Sequence, residues 1–164
     1  PSSPIPMPPV SLHFQHRCSD VKPLLPAYVL IEYGFNDASI PAGRLIPRCG
    51  LSAFRENLAE MIRMVREAKG IPILVVNHPI VGTKTPQGNR RSYLQNFLPY
   101  QKAIRQVART TKTPAIDLER DMKRAKVPLK KLLAEDGLHL TPGGNLVYGD
   151  DIFSGFCRVL GGTH

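Results

Sequence analysis

The chain has 164 residues, 42% of them hydrophobic and 21% charged, and its 22 Lys and Arg against 13 Asp and Glu give a formal net charge of +9. This composition is typical of a globular domain and excludes disorder over the full length. No apolar run reaches the roughly 18 residues that cross a bilayer. Three cysteines are too few for a disulfide-rich scaffold, so free thiols are the simplest interpretation.

Residues 1–22 are predicted to form an extended, Pro-rich leader, because proline donates no backbone hydrogen bond. The segment lacks the charged start and apolar core of a signal peptide. Together with the few cysteines, this slightly favours the cytoplasm, but removal of an earlier leader would leave a secreted or periplasmic location open.

Strands and helices alternate along the rest of the chain, which we interpret as one domain over residues 23–164. Apolar runs bounded by Gly and Pro predict buried strands over residues 28–33, 73–76 and 114–118. Apolar residues at helical spacing predict helices from an N-cap at Ser52 to Gly70, over 93–110 with a kink or restart at Pro99, over 119–125 and 128–134, and from Thr141 to about Leu160. The alternation predicts an α/β fold with a parallel sheet and right-handed crossovers.

Ligands of open parallel sheets bind beyond the carboxyl ends of the strands. Three polar segments are expected at that edge: residues 34–37 after the first strand, residues 77–79 after the second, and residues 136–139 before the last helix. These segments therefore hold the candidate site residues.

Asp136 and His139 are three positions apart in a turn that Gly137 makes sterically easy. The carboxylate would accept the proton of Nδ1, which leaves Nε2 free as a general base. The same spacing also fits a surface loop in which Asp136 is a cap and the histidine is incidental.

Asn36 is the second candidate, since a side-chain amide at a strand end can donate a hydrogen bond to a developing oxyanion. Gly34 would let the backbone pass close to a substrate. The structural alternative is an Asx turn that closes the strand.

Asn77 and His78 follow the second strand and are candidates for lining the same pocket, although a histidine there can equally serve the loop alone. The five histidines and three cysteines show no metal-ligand spacing, and no Gly-rich phosphate-binding motif follows a strand. We therefore expect neither a metal nor a nucleotide cofactor.

Two segments resemble sequence blocks of the SGNH (GDSL-type) esterases and lipases. Residues 29–37 (VLIEYGFND) resemble the block in which a hydrophobic strand leads into G-x-N-D, and residues 136–145 (DGLHLTPGGN) resemble the D-x-x-H block. The resemblance extends over about residues 23–160. It implies a three-layer, flavodoxin-like fold and hydrolysis of carboxylic or acetyl esters through an acyl-enzyme, with a small-molecule or carbohydrate ester as substrate.

The same resemblance assigns roles to individual residues. It implies that His139 is the general base, that Asp136 orients it, and that Asn36 is the oxyanion donor. Gly34 would be the turn glycine of its block and Asp37 a structural residue. The family's nucleophile, the serine of a G-D-S motif, has no counterpart here, and no glycine precedes Gly34.

Three explanations fit the missing nucleophile motif. The serine can come from a second chain or from a segment outside this sequence, in which case the sheet lacks its first strand. The protein can be a shortened relative that no longer catalyses, or residues 1–22 can replace the strand. Ester hydrolase is the leading hypothesis, with an acyl transferase or an inactive domain for binding or assembly as alternatives.

A nucleic-acid binder is a further alternative, because residues 120–131 hold six Lys and Arg. This basic patch has no interleaved aromatic side chains on which bases could stack, which favours a solvated face instead.

Overall fold

The computed structural model describes residues 27–82, 86–125 and 127–161, so the predicted leader over residues 1–22 lies outside the described residues. Within these ranges the elements are, in chain order, β1 (Tyr28–Ile31), α1 (Phe35–Ala38), α2 (Leu51–Glu67), β2 (Ile71–Val76), α3 (Tyr93–Thr110), β3 (Ala115–Asp117), α4 (Leu118–Arg124), α5 (Leu129–Leu132) and α6 (Pro142–Gly161). Every helix in this part of the chain is either too short or too polar to span a membrane.

The described strands form one parallel sheet in the order β1-β2-β3. Central β2 is almost purely apolar, and its last four side chains, residues 73–76, are at most 1% exposed. Such a strand has no polar face because both of its faces are covered. The predicted α/β fold with a parallel sheet is therefore confirmed.

Helices cover both faces of the sheet. Leu74 and Val76 pack with α2 and α3 on one face, while Ile73 and Val75 pack with α4, α5 and α6 on the other. Successive strand side chains point to opposite faces, so one apolar run feeds two separate cores. The sheet is the middle of three layers, as the resemblance implied.

The ends of α3 agree with the sequence analysis. Ser92 is its N-cap: the Ser92 hydroxyl oxygen accepts from the Gln95 backbone N–H at 3.2 Å, and the Gln95 side chain accepts from the Ser92 N–H at 2.9 Å. Pro99 lies inside this uninterrupted helix. Of the predicted kink or restart, the restart is therefore wrong, because the helix face on both sides of the proline stays packed in the core.

The start of α2 differs from the sequence analysis. The structure places Gly50 at the N-cap, so the predicted N-cap at Ser52 is wrong. The Ser52 hydroxyl instead donates to the Glu56 carboxylate one turn later, at 3.2 Å. A serine inside the first turn can bond to a neighbouring side chain as readily as to the backbone.

The last helix begins as predicted. Thr141 caps it, with its hydroxyl oxygen accepting from the Gly144 N–H at 3.0 Å. Two glycines allow close packing: a β-carbon on Gly144 would lie 2.1 Å from a carbonyl oxygen of α5, and one on Gly155 would lie 2.6 Å from a β3 side chain. These contacts fix α6, and with it the loop that precedes it, against the sheet.

Candidate active site

A cavity of about 480 Å³ lies at the carboxyl ends of β1 and β2. Five of the six candidate residues line it, namely Gly34, Asn36, Asn77, His78 and His139. The sixth, Asp136, bonds to the His139 ring. The topology explains this convergence, because parallel strands end at one edge of the sheet and α6 brings the 136–139 loop to the same edge.

The side chains of Asp136 and His139 are hydrogen-bonded to each other. His139 Nδ1 lies 2.5 Å from Asp136 Oδ2, and Asp136 Oδ1 accepts the backbone N–H groups of Leu138 and His139 at 2.9 Å each. The hydrogen bond with His139, followed by the two backbone bonds, lowers the pKa of Asp136 to about 2. The carboxylate is thus ionised at neutral pH and holds the ring by Nδ1, while the imidazole is 77% exposed and open to the cavity.

Gly137 gives the Asp136 loop its shape. Its φ is +69°, and its carbonyl accepts the Val81 N–H at 3.1 Å. A β-carbon at this position would lie 2.6 Å from Val81 Cγ2 and 2.7 Å from the Gly82 carbonyl oxygen. Only glycine fits there, so the chain can bring the Asp136–His139 pair down onto the loop that follows β2.

Gly34 and Asn36 lie in a short helical turn rather than in the Asx turn that the sequence also allowed. Gly34 has a φ of +126°, and Asp37, only 1% exposed, accepts the Gly34 N–H at 3.2 Å. This agrees with the structural role that the resemblance implied for Asp37. The Asn36 side chain is exposed at the cavity and forms no hydrogen bond within the described residues.

Asn77 and His78 are both buried beside the cavity. Asn77 Nδ2 donates to Glu32 Oε1 at 3.2 Å, and the Asn77 carbonyl accepts from the Gln101 side chain at 3.1 Å. His78 Nδ1 lies 3.0 Å from the Pro79 carbonyl, and burial lowers the pKa of its ring, which favours the neutral form at pH 7. Asn77 therefore connects β2, Glu32 and α3, and His78 presents a neutral ring to the cavity.

Glu32 and Tyr148 are cavity residues that the sequence analysis missed. Glu32 belonged to the predicted strand over 28–33, but β1 ends at Ile31 and leaves Glu32 at the rim. Tyr148 reaches it from α6 and donates its hydroxyl to Glu32 Oε2. Burial, and then this hydrogen bond, raise the pKa of Tyr148. The sequence feature that could have identified Glu32 is its position as a single acidic residue at the end of an apolar run.

None of the serines that the structure describes lines the cavity. Across the described ranges, no group of three or more His, Cys, Asp and Glu side chains is arranged to hold a metal ion. In the basic patch, Arg120 and Lys123 pair with the neighbouring acids Asp121 and Glu119.

Comparisons with known proteins agree with the resemblance found in the sequence. A family model described as GDSL-like lipase/acylhydrolase matches residues 9–147. No curated protein matches the chain. Among solved structures, the lipase/acylhydrolase from Enterococcus faecalis is 28% identical with a TM-score of 0.64; the match covers 85% of this chain and 65% of that one. The chain therefore spans just under two thirds of that protein's length.

Two further solved structures share the fold at lower identity. A GDSL-like lipase from Bacteroides thetaiotaomicron is 22% identical with a TM-score of 0.68, over 91% of this chain and 71% of that one. A catalytic mutant of an acetylxylan esterase from Geobacillus stearothermophilus is 17% identical with a TM-score of 0.65, over 88% of this chain and 66% of that one. The family match spans most of the sequence, and the resemblance is confirmed: the chain belongs to the GDSL-like lipase/acylhydrolase family.

Proposed function

We propose that the protein hydrolyses carboxylic esters, acetyl esters among them, through an acyl-enzyme. His139 is the general base, Asp136 orients it, and Asn36 donates to the oxyanion. The observation that carries this proposal is that the Asn36 amide and the Asp136-held ring of His139 line the same cavity. Acyl transfer needs a general base and an oxyanion donor near the same carbonyl carbon, and both candidates line one cavity here.

The Asp136–His139 pair is suited to general base catalysis. With the Nδ1 proton held by Asp136, Nε2 of the neutral ring can take the proton of a serine hydroxyl as that oxygen attacks the ester carbonyl. The proton then passes to the alkoxide as the carbon–oxygen bond of the alcohol breaks. Water repeats the sequence on the acyl-enzyme and releases the acid.

Asn36 supplies the complementary charge stabilisation. Its amide forms no hydrogen bond within the described part of the chain, so it is available to a developing oxyanion. Removal of one such donor typically slows an acyl transfer by about 100- to 1000-fold. Gly34 and Asp37 hold the turn on which Asn36 stands.

The serine hydroxyl has to come from outside the described serines, from a second chain, or from a segment beyond this sequence. The alternative function, an inactive domain that binds a ligand or assembles with a partner, is favoured by the absence of any described serine from the cavity. An acyl transferase would use the same residues with an alcohol in place of water.

Labelling with a fluorophosphonate, which modifies activated serines, tests the proposal and locates the nucleophile by peptide mapping. We expect one labelled serine, either in the full chain or in the second chain or further segment that completes it, and labelling that is at least about 100-fold slower in His139→Ala. The control His164→Ala changes the last residue of the sequence, which lies outside the described residues, and should label like the parent. Equal labelling, or none, in the parent and His139→Ala would support the inactive binding domain.

A further inference from the structure

Glu32 is a carboxylate at the cavity that is held in place by two hydrogen-bond donors, neither of them a cation. Asn77 donates to its Oε1 atom at 3.2 Å, and the Tyr148 hydroxyl donates to its Oε2 atom. Each carboxylate oxygen can accept a second hydrogen bond, so two acceptor positions are left for a ligand. The two donors come from different elements, and they fix the orientation of these positions.

The charge of the cavity is opposite to that of the protein. The chain carries a formal charge of +9, but no Lys or Arg is among the described residues that line the cavity. Within the described residues Glu32 forms no ion pair. A substrate with a carboxylate or phosphate group would meet this negative charge without a compensating cation.

The other polar groups of the lining favour hydroxyl groups as ligands. The side-chain amide of Asn145 forms no hydrogen bond within the described ranges, and His78 engages only its Nδ1 atom there. This amide offers both a donor and an acceptor, and a hydroxyl group can satisfy both. An ammonium group can only donate and cannot accept from the amide N–H groups.

We infer that Glu32, held by Tyr148 and Asn77, is a specificity-determining residue that selects esters whose alcohol portion is uncharged and carries free hydroxyl groups. The inference rests on the proposed function for the ester bond itself. Glu32 would accept hydrogen bonds from the hydroxyl groups, while Asn36 and His139 act at the carbonyl. The aromatic rings of Phe35 and Tyr148 would contact the carbon skeleton.

Binding of acetamides, which replace the ester oxygen by N–H and are not turned over as esters, tests the inference without catalysis. The probes are N-(2,3-dihydroxypropyl)acetamide, N-propylacetamide, N-acetyl-β-alanine and N-(2-trimethylammonioethyl)acetamide. Dissociation constants come from NMR titration of the full chain. We expect the diol to bind about tenfold or more tightly than the propyl compound, since a hydrogen bond to a charged group is among the stronger ones.

Variants then assign the preference to Glu32. In Glu32→Gln, which keeps the shape of the side chain, the diol-over-propyl ratio should fall from about tenfold to about onefold. The matched control Glu56→Gln lies on the exposed face of α2, and its ratio should stay that of the parent. A ratio near one in the parent, or a ratio unchanged in Glu32→Gln, would overturn the inference. The parent series decides even if Glu32→Gln fails to fold.

The charged probes complete the test. N-acetyl-β-alanine should bind more weakly than the propyl compound, and tighter binding of this anion would contradict the inference. If the trimethylammonium compound binds more tightly than the diol, the carboxylate selects positive charge and the inference is wrong. Hydrolysis assays separate this inference from the proposed function. A clear diol preference in binding without any hydrolysis of glycerol monoacetate would contradict only the proposed function. Hydrolysis of glycerol monoacetate and propyl acetate at equal kcat/KM would contradict only the inference.

Discussion

The Oδ1 atom of Asn77 lies 3.2 Å from the place where a β-carbon on Gly34 would stand. The loops that follow β1 and β2 therefore lie close together at the wall of the cavity, which both residues line. Asn77 Oδ1 is buried without a hydrogen-bond partner among the described residues. There is thus little room for a side chain at position 34, at the start of the short turn that carries Asn36.

Gly34→Ala is expected to lower the free energy of unfolding by about 3 kcal/mol, because the residue has a φ of +126° and faces Asn77, Phe54 and Phe97. Gly43→Ala is the matched control: its φ is +75°, but no atom lies within 4 Å of the added β-carbon. It should cost about 1 kcal/mol, from backbone strain alone. Urea denaturation measures both free energies of unfolding. Equal losses would show that the neighbours of Gly34 add nothing to the cost of backbone strain.

Gly137→Ala should displace the loop that carries Asp136 and His139, because the added β-carbon would lie 2.6 Å from Val81 Cγ2 and 2.7 Å from the Gly82 carbonyl oxygen. We expect ester hydrolysis to fall about tenfold or more through the misplaced base. Val81→Ala alone, at a half-exposed side chain, should keep the parental rate. The double variant should recover only part of the loss, since the clash with the carbonyl remains; full recovery would contradict this account of the loop.

Asp136 is expected to titrate near pH 2 because of its hydrogen bond to His139 and its two backbone bonds. Its folded pKa is below the value of about 3.9 in an unfolded chain. The stabilisation from this group is therefore present above pH 4 and is lost as the pH falls from about 4 to about 2.

The carboxyl carbon shift of Asp136, followed by NMR as the pH falls, measures this pKa directly. In His139→Ala the largest cause is removed, and the pKa should rise toward the unfolded value. A titration near pH 4 in the parent would mean that the Asp136–His139 bond is absent in solution.

Asp117 joins β3, α3 and α4. It accepts from Arg105 through both oxygens, at 2.8 and 2.9 Å, and caps α4 by accepting the Arg120 N–H at 3.1 Å. Asp117→Ala should lower the free energy of unfolding by about 2 kcal/mol, from the lost cap and the lost bidentate pair. Glu60→Ala, which removes the exposed ion pair with Arg63, is the control and should have a much smaller effect. Similar losses of unfolding free energy in the two variants would contradict the expectation that the less exposed Asp117 contributes more than the exposed ion pair of Glu60.

Local signals predicted the parts of the fold that depend on local sequence. The helical spacing of apolar residues predicted α3 over 93–110, and an uninterrupted apolar run predicted β2. Ser52 was wrong as a cap because Gly50, two residues earlier, already has the extended conformation of an N-cap. Serine alone does not distinguish the cap from the first turn.

The candidate site shows where sequence reasoning ends. Asp136 and His139 are three residues apart, and their pairing could be predicted from a turn. Glu32 and Tyr148 are 116 positions apart, and only the packing of α6 on the sheet brings them together. Nothing in the local sequence of either residue predicts the other, because their contact depends on the tertiary fold.

The most direct test of the central claim, that Asn36 and His139 act on one ester carbonyl, is the kcat/KM for hydrolysis of p-nitrophenyl acetate by the full chain. We predict a fall of at least about 100-fold in both Asn36→Ala and His139→Ala, and parental activity in Gln106→Ala, which removes an exposed amide on α3. Equal rates for the parent, Asn36→Ala and His139→Ala would contradict the account.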